Sequence, residues 1–529
     1  MKYFTFFLML VVIMGGIYTP GVEARDFSDD TIYFIVVDRF KDGDPSNNPK
    51  GKIFSPDKKE WKLYWGGDIQ GIIDKLTYIK KLGCTAIWIT PVVENTEDLY
   101  LYGKNKEEKI SAYHGYWGKD FSRINPFFAD QEKFQELVEK AHGMDIKIIF
   151  DYVLNHSSPI DQGIDGAVYK DGKFIADYSN DPHKWFHHNG STDFRKKDLR
   201  EWQDKNLFDL ADFNSENPEV QKYIFNAAKG WMNTGIDAFR IDTVRHIPVD
   251  FAAEFYKEMK ENNSDIFIFG EWSMGGPEVP GAVDFTRKTG IHMIDFTLTF
   301  KLTDVLCKKK SFKLLADHFK HDTNLREPHL MVTCIDNHDM PRFISTAIGN
   351  GADLKTAKRR TELAIYILMT SRGIPSIYYG TEHFLHVDKK STWGYGGEPY
   401  NRQMMSDWDT ESEFFKNIRR LAEMRKEAKA VSRGSQDTLF VSDEAWVYER
   451  RYKNSVVLVA VNKGPSTKIK VTSTHLPDGK YDNSNYGNER VMGPSITVED
   501  MHTQIELGEN EIGVWRSRKS EVGSRKSEL

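Results

Sequence analysis

Ala238-Phe239-Arg240-Ile241-Asp242-Thr243-Val244-Arg245-His246 follows a helically periodic run from Pro218 to Asn233 and a turn through Gly235. Strand alternation sets Phe239 and Ile241 on one face and Arg240 and Asp242 on the other. In a parallel strand ringed by helices, an inward Arg and Asp are costly to bury unless they are paired. Taken alone, the stretch reads equally as a structural ion pair or as part of a functional site.

Working outward, seven more short apolar runs read as strands: Thr31 to Val37, Thr85 to Thr90, Ile146 to Tyr152, Ile266 to Gly270, Ile291 to Phe296, Leu330 to Ile335 and Ile374 to Tyr378. Helical periodicity fills intervals between them, as over Ile69 to Leu82 (stopped by Gly83), Gln131 to His142 (stopped by Gly143) and Phe251 to Glu261. This alternation predicts an α/β fold, a (β/α)8 TIM barrel rather than an open doubly wound sheet. The interval 155–217, after the third strand, is too long for an ordinary loop and predicts an inserted domain. Beyond residue 426, strands without helices predict a C-terminal antiparallel β-sandwich over 427–516, which leaves 25–154 and 218–426 for the barrel. The polar tail 517–529 is expected to be disordered.

The 529 residues are 40% hydrophobic and 28% charged, enough for a large core. A net charge of −6 gives no reason to expect a nucleic-acid partner, while 13% aromatic content suits stacking on sugar rings. Lys2, the apolar run Phe4 to Ile17 and Val22-Glu23-Ala24 make 1–24 a secretory signal, and the run is short for a membrane span. The mature chain is expected to be secreted or periplasmic, monomeric and free of stable membrane association. The terminal Lys526-Ser527-Glu528-Leu529 faintly echoes an endoplasmic-reticulum retention signal. Cys84, Cys307 and Cys334 are too few and scattered for a disulfide framework and read as buried thiols. Asp42-Gly43-Asp44-Pro45-Ser46-Asn47-Asn48-Pro49 reads either as a solvated loop built on Asx-turns or as a calcium loop.

In a (β/α)8 barrel the active site lies at the C-terminal ends of the strands. Asp151, Asn155 and His156 end the third strand; Arg240, Asp242 and His246 end the fourth; Glu271 ends the fifth; His338 and Asp339 follow the seventh. Glycoside hydrolysis with retention needs two carboxyl groups roughly 5 Å apart, one to attack the anomeric carbon and one to protonate the leaving oxygen. Asp242 and Glu271 stand on neighbouring strands. Arg240 would keep Asp242 ionised as nucleophile, and the flanking Phe269 and Trp272 suit Glu271 to remain protonated as the acid.

Asp151-Tyr152-Val153-Leu154-Asn155-His156, Ala238 to His246, the surroundings of Glu271, and Ile335 to Asp339 resemble the four signature regions of the alpha-amylase family of glycoside hydrolases. Ala112 to Trp117, Trp65 to Gly71, Phe186 to Phe194 and Gly373 to Gly380 resemble its cyclodextrin glucanotransferase branch. The resemblance implies that Asp242 is the nucleophile, Glu271 the acid/base and Asp339 a third carboxylate gripping sugar hydroxyls. It places Arg240, His156, His338 and His114 around the cleavage subsite, with Tyr116 stacking on the sugar. Arg245 and His246 would serve the leaving-group side, and Glu398 and Arg402 sugars on the other side. It also implies one calcium held by Asn155, Asp212 and the carbonyls of His246 and a residue near Gln203, between the barrel and the inserted domain B. A second calcium would sit at Asp42, Asp44, Asn47, Asn48, the Gly66 carbonyl and Asp68. The implied partner is an α-glucan: starch, maltooligosaccharides or cyclodextrins.

A transglycosylase needs aromatic platforms on the acceptor side, and Phe208 and Phe194 match such positions in the cyclising branch. Ser273, where that branch usually carries an aromatic, and the lack of later starch-binding modules weigh against cyclisation. The sequence reading is therefore retaining endo-hydrolysis of α-1,4-glucans, an alpha-amylase with some transglycosylation. A cyclodextrin glucanotransferase or cyclomaltodextrinase stands as the alternative, and a non-catalytic α-glucan binder as the reading from another class. All three carboxylates are present, which disfavours the binder.

Overall fold

A computed structural model describes residues 26–102, 108–160, 165–196, 198–482 and 488–517. The expected signal, 1–24, lies outside the described residues, as does the expected tail apart from Ser517. Eight parallel strands form the inner wall: β1 (Ile32–Ile35), β2 (Ala86–Ile89), β3 (Lys147–Tyr152), β4 (Ala238–Ile241), β5 (Phe267–Gly270), β6 (His292–Met293), β7 (Val332–Thr333) and β8 (Ile374–Tyr378). They pair in the order β6-β5-β4-β3-β2-β1-β8-β7. One parallel bridge, Ile294 to Val332, brings the two end strands together. Beside it the Asp295 amide donates to the Val332 carbonyl at 2.9 Å. The strands are buried along their whole length apart from Lys147 and His292, as expected of a parallel sheet covered on both faces.

The helices owe their places to apolar stripes. In Ile69–Leu82, Ile69, Ile72, Leu76 and Ile79 are buried, and each contributes about 1.5–3 kcal/mol by leaving water. Asp68 caps this helix by accepting from the Gly71 amide, and Gly83 ends it at φ 92°. The sixth and seventh strands are shorter than their apolar runs predict. Asp295 accepts from the Leu298 amide and so starts a helix at Phe296, which runs to Leu306. That N-cap overrides the strand preference of the aromatic run. Leu330 belongs to a 3-10 turn, Pro328–Leu330.

The interval after β3 builds outward on the barrel's upper rim. Val168–Lys170 and Lys173–Ala176 join a four-stranded sheet with Gly118–Ile124 and Val93–Asn95, which belong to the connection after β2. Leu210–Asp212 returns antiparallel to His156–Pro159. The same rim therefore collects both the third-strand end and the Ala112 to Trp117 turn.

The C-terminal region is a β-sandwich. One sheet contains Ser435–Val441, Ala445–Tyr452, Ser455–Asn462, Glu511–Ser517 and Asn488–Met492; the other contains Thr467–Val471, His502–Leu507, Ile496–Glu499 and Gly479–Tyr481. Val447, Leu458, Ile505 and Trp515 form its inner layer. It abuts the barrel through stacked Phe319 and Trp446 rings 5.8 Å apart and a 2.6 Å hydrogen bond between Thr370 and Tyr448. Cys84, Cys307 and Cys334 are free and buried. Among the described residues no helix is long and apolar enough to cross a membrane.

Candidate active site

Strand register, which periodicity does not reveal, sets Arg240 beside Asp151 of β3 and beside Phe269 of β5. Its guanidinium is 1% exposed and holds three carboxylates. One terminal nitrogen donates to Asp151 and to Asp242, each at 2.8 Å. The other donates to Glu271 at 2.7 Å. The ladder fixes this arrangement, because the Asp242 amide donates to the Tyr152 carbonyl and the Glu271 amide to the Ile241 carbonyl. Asp242 and Glu271 therefore emerge one residue beyond neighbouring strands, drawn toward one cation.

Asp151 was visible in the sequence as a strand-end acid without a role. In the structure it is wholly buried and also accepts from Trp88 Nε1 at 2.9 Å and from the Tyr116 hydroxyl at 2.8 Å. Burial, assisted by the Asp242 charge and opposed by Arg240, pushes its carboxyl up to about 6. Burial raises Glu271 well above the usual carboxylate range, and the Asp242 and Asp339 charges add to this against the pull of Arg240. A protonated Glu271 is what a general acid requires.

Tyr116 lies flat on His338, ring centroids 5.2 Å apart and planes 10° apart, and His114 also stacks with Tyr116 at 5.8 Å. The Tyr116 amide donates to His114 Nδ1. His156 Nε2 and His338 Nδ1 are buried without a hydrogen-bond partner. Burial lowers both imidazoles, so each stays neutral near pH 7. Asp339, at the rim with a side chain 47% exposed, meets Arg402 at 3.1 Å and His338 at 3.3 Å. Arg402 in turn contacts Glu398 at 3.1 Å, the Tyr113 hydroxyl at 3.0 Å and the His338 carbonyl at 2.8 Å.

A second group begins at Thr243, a β-branched residue in the left-handed region at φ 47°, a costly conformation that redirects the chain after Asp242. Its consequence is the position of Arg245 and His246 against Trp202, which sequence reasoning missed. Arg245 lies 3.8 Å from the centroid of that indole. His246 stacks on it at 5.8 Å and donates from Nδ1 to its carbonyl at 3.1 Å. Phe194 is 6.3 Å from His246 and 5.1 Å from Phe208. Both phenylalanines are exposed, at 42% and 58%. Ser273 is exposed too, and its carbonyl accepts from Arg245.

The oxygen-rich loop has a different character. Asp42 Oδ1, Asn47 Oδ1 and Asn48 Oδ1 are buried with no donor. A Cβ at Gly66, which has φ +90°, would fall on Asn48 Oδ1, so the glycine lets the chain close over this oxygen. Three orphaned oxygens in one loop fit a hard cation and are costly without one. The Asp44 carboxylate instead accepts from Ser46, and that of Asp68 from the amides of Gly43, Asp44 and Gly71. Between interval and barrel, Asp212 has one oxygen on His187 at 2.7 Å and the other buried without a partner. Burial pushes its carboxyl up to about 7. Asn155 adjoins it through the 156–212 strand pair, and Gln203 donates to the Ile247 carbonyl next to His246. This donor set also fits a cation.

A closed parallel barrel with carboxylates, histidines and an arginine at its strand ends defines a class, and similarity to known proteins agrees. The alpha-amylase catalytic domain matches residues 34–406. The chain belongs to the alpha-amylase family of glycoside hydrolases. It is 35% identical to a cyclomaltodextrin glucanotransferase of Klebsiella oxytoca, over 98% of this chain and 82% of that one. Its fold superposes on a cyclomaltodextrin glucanotransferase with a three-domain ABC distribution at TM-score 0.85 and 38% identity, covering 93% of this chain and 99% of that one. An alpha-amylase of Anoxybacillus superposes at TM-score 0.78 and 31% identity, covering 94% and 99%.

Proposed function

We propose that the protein is a retaining α-1,4-glucan transglycosylase whose main product is cyclic, a cyclodextrin glucanotransferase. The observation that carries this is the exposed Phe194–Phe208 pair, 5.1 Å apart and beside His246. Exposed aromatic faces of this kind hold an incoming sugar by stacking. The relatives support the same choice, which reverses the preference for hydrolysis read from the sequence. The short domain count no longer argues against cyclisation, since a three-domain enzyme of that name matches this chain over nearly its whole length.

In the reaction, Glu271 gives its proton to the glycosidic oxygen as Asp242 attacks the anomeric carbon, and the reducing-end fragment leaves. The compact sharing of Arg240 suits the roughly 5 Å separation that retention uses. Glu271, now a carboxylate, takes the proton from the 4-hydroxyl of an acceptor sugar, which attacks the same carbon and releases Asp242. When the acceptor is the far end of the bound chain, the product is a ring. Tyr116 would stack on the reacting sugar, Asp339, His114, His156 and His338 would meet its hydroxyls, and Arg402 and Glu398 would hold the sugars beyond. Hydrolysis is the second reading, and exposed Ser273 favours it by leaving the acceptor side short of one aromatic surface. Chromatography of soluble-starch digests decides between them. Cyclic dextrins are expected to predominate; mainly linear maltooligosaccharides of retained α-configuration would return the assignment to hydrolysis.

Calcium would be held by Asp42, Asn47, Asn48 and the Gly66 carbonyl at one site, and by Asn155, Asp212 and the His246 carbonyl at another. Bound there, it supplies positive charge to oxygens that have no donor of their own. A ligand held at 100 times its Kd stabilises the folded state by about 2.7 kcal/mol. Chelation with EDTA is therefore expected to lower the calorimetric midpoint by several degrees, restored by added calcium. An unchanged midpoint would count against both sites.

A further inference from the structure

Trp393 sits at the tip of a hairpin, Lys390–Ser391 paired with Gly394–Tyr395, in the connection after β8. Its side chain is 62% exposed, an unusual placement for the largest apolar side chain. The hairpin is nonetheless held firmly. Ser391 Oγ accepts from the Trp393 amide at 3.1 Å and donates to the Gly394 carbonyl at 3.1 Å. Tyr395 lies close over Gly349, at the end of the helix Phe343–Gly349, and Gly396 closes against Ser345. The indole is thus presented on a braced support, so little ordering entropy remains to be lost when something stacks on it.

Trp393 faces a groove of about 370 Å³ that it shares with Tyr100, Trp117, Phe208, Leu210 and Glu398. That volume lies within the range of small-ligand pockets. The lining mixes aromatic faces with polar groups that include Glu398, Asp209, which accepts from the Tyr100 hydroxyl at 2.6 Å, and the Lys62–Glu108 ion pair at 2.6 Å. Aromatic faces with carboxylates at the edge suit a hexose, which offers C–H faces and equatorial hydroxyls. Two lining residues tie the groove to the active site: Glu398 contacts the Arg402 that holds Asp339, and Phe208 contacts Phe194.

We propose that Trp393 is a glucosyl-stacking platform, opposite Phe208, that engages α-glucan chains long enough to extend past the cleavage point, and that it determines chain-length preference. This rests on the α-glucan reading of the same cleft. It does not depend on whether water or sugar is the acceptor.

The test compares maltotriose with maltoheptaose as substrates of the wild type, Trp393→Ala and Trp393→Phe. The ratio of kcat/KM for maltoheptaose to that for maltotriose is expected to fall by about three- to tenfold in the alanine variant, the equivalent of one aromatic stacking contact. The phenylalanine variant should recover most of it. In a Glu271→Gln background, maltoheptaose should change the tryptophan fluorescence, and Trp393→Ala should remove most of that change. An unaltered ratio, or an equal loss for both substrates, would overturn the proposal. An unaltered ratio with a changed sedimentation coefficient would instead make the hairpin a contact between copies of the chain. If the wild type turns over no α-glucan, the proposed function fails, and the fluorescence titration still decides whether Trp393 binds one.

Discussion

Arg240→Met is expected to cost about 3–5 kcal/mol of folding stability, because it leaves buried carboxylates without the cation that compensates them. Asp151 is wholly buried, and Asp242 and Glu271 are mostly so. Part of the penalty is relieved by protonation, and this gives the loss a characteristic sign. Asp151 is already pushed up to about 6 and Glu271 is raised well above the usual carboxylate range with Arg240 present, so in its absence the folded state holds these protons still more tightly. A carboxyl whose folded pKa lies above its unfolded value destabilises progressively as pH rises between the two. The variant should therefore lose more stability at pH 8 than at pH 5 in urea titrations. A midpoint within error of wild type at both pH values would show that the three carboxylates do not depend on Arg240. Activity should vanish in parallel, since the same guanidinium holds Asp242 and Glu271, the two carboxylates proposed to react.

Asp242→Asn separates chemistry from folding. The amide keeps an oxygen for the Arg240 bond seen at 2.8 Å, and Arg240 retains Asp151 and Glu271. Stability should stay within about 1 kcal/mol of wild type, the scale of a single hydrogen bond. Turnover on starch should fall by about 10⁴-fold or more, as for loss of other catalytic nucleophiles. An amide oxygen cannot form the glycosyl ester, so no geometry rescues it. An Asp242→Asn enzyme with a tenth of wild-type activity would remove Asp242 from the nucleophile role.

Much of this site was legible because barrel chemistry concentrates at strand ends, where Asp242, Glu271, His338 and Asp339 interrupt apolar runs. Asp151 interrupts a run in the same way, but its partnership with Arg240 depends on inter-strand register, which no single strand encodes. Trp202 was missed for a related reason. It lies in the interval 155–217 and acquires meaning only when the Thr243 turn brings Arg245 and His246 against its ring. The sixth strand was overdrawn because a local cap, Asp295, outweighed the apolar run around it, and the seventh because Leu330 belongs to the 3-10 turn Pro328–Leu330. In the sandwich, Gly479–Tyr481 and His502–Leu507 give a weak apolar signal because Lys480, His502, Gln504 and Glu506 occupy outward positions. Trp393 had no signal beyond a lone aromatic between turn residues.

The cap that shortens β6 has a further effect. Asp295 also binds buried His318 at 3.0 Å and Arg372 at 2.7 Å, while its amide fastens the last strand pair of the wall. Elsewhere around the cylinder ladders of two to four register pairs must part together, but here the wall is joined across one bridge. Transient opening of the cylinder is thus cheapest between β6 and β7, with a buried charge cluster acting as the latch. Strands β4 and β5, which carry Asp242 and Glu271 at their ends, lie to one side of that seam, with β4 joined to β3 and to β5 by four register pairs each, and can keep their register while it breathes.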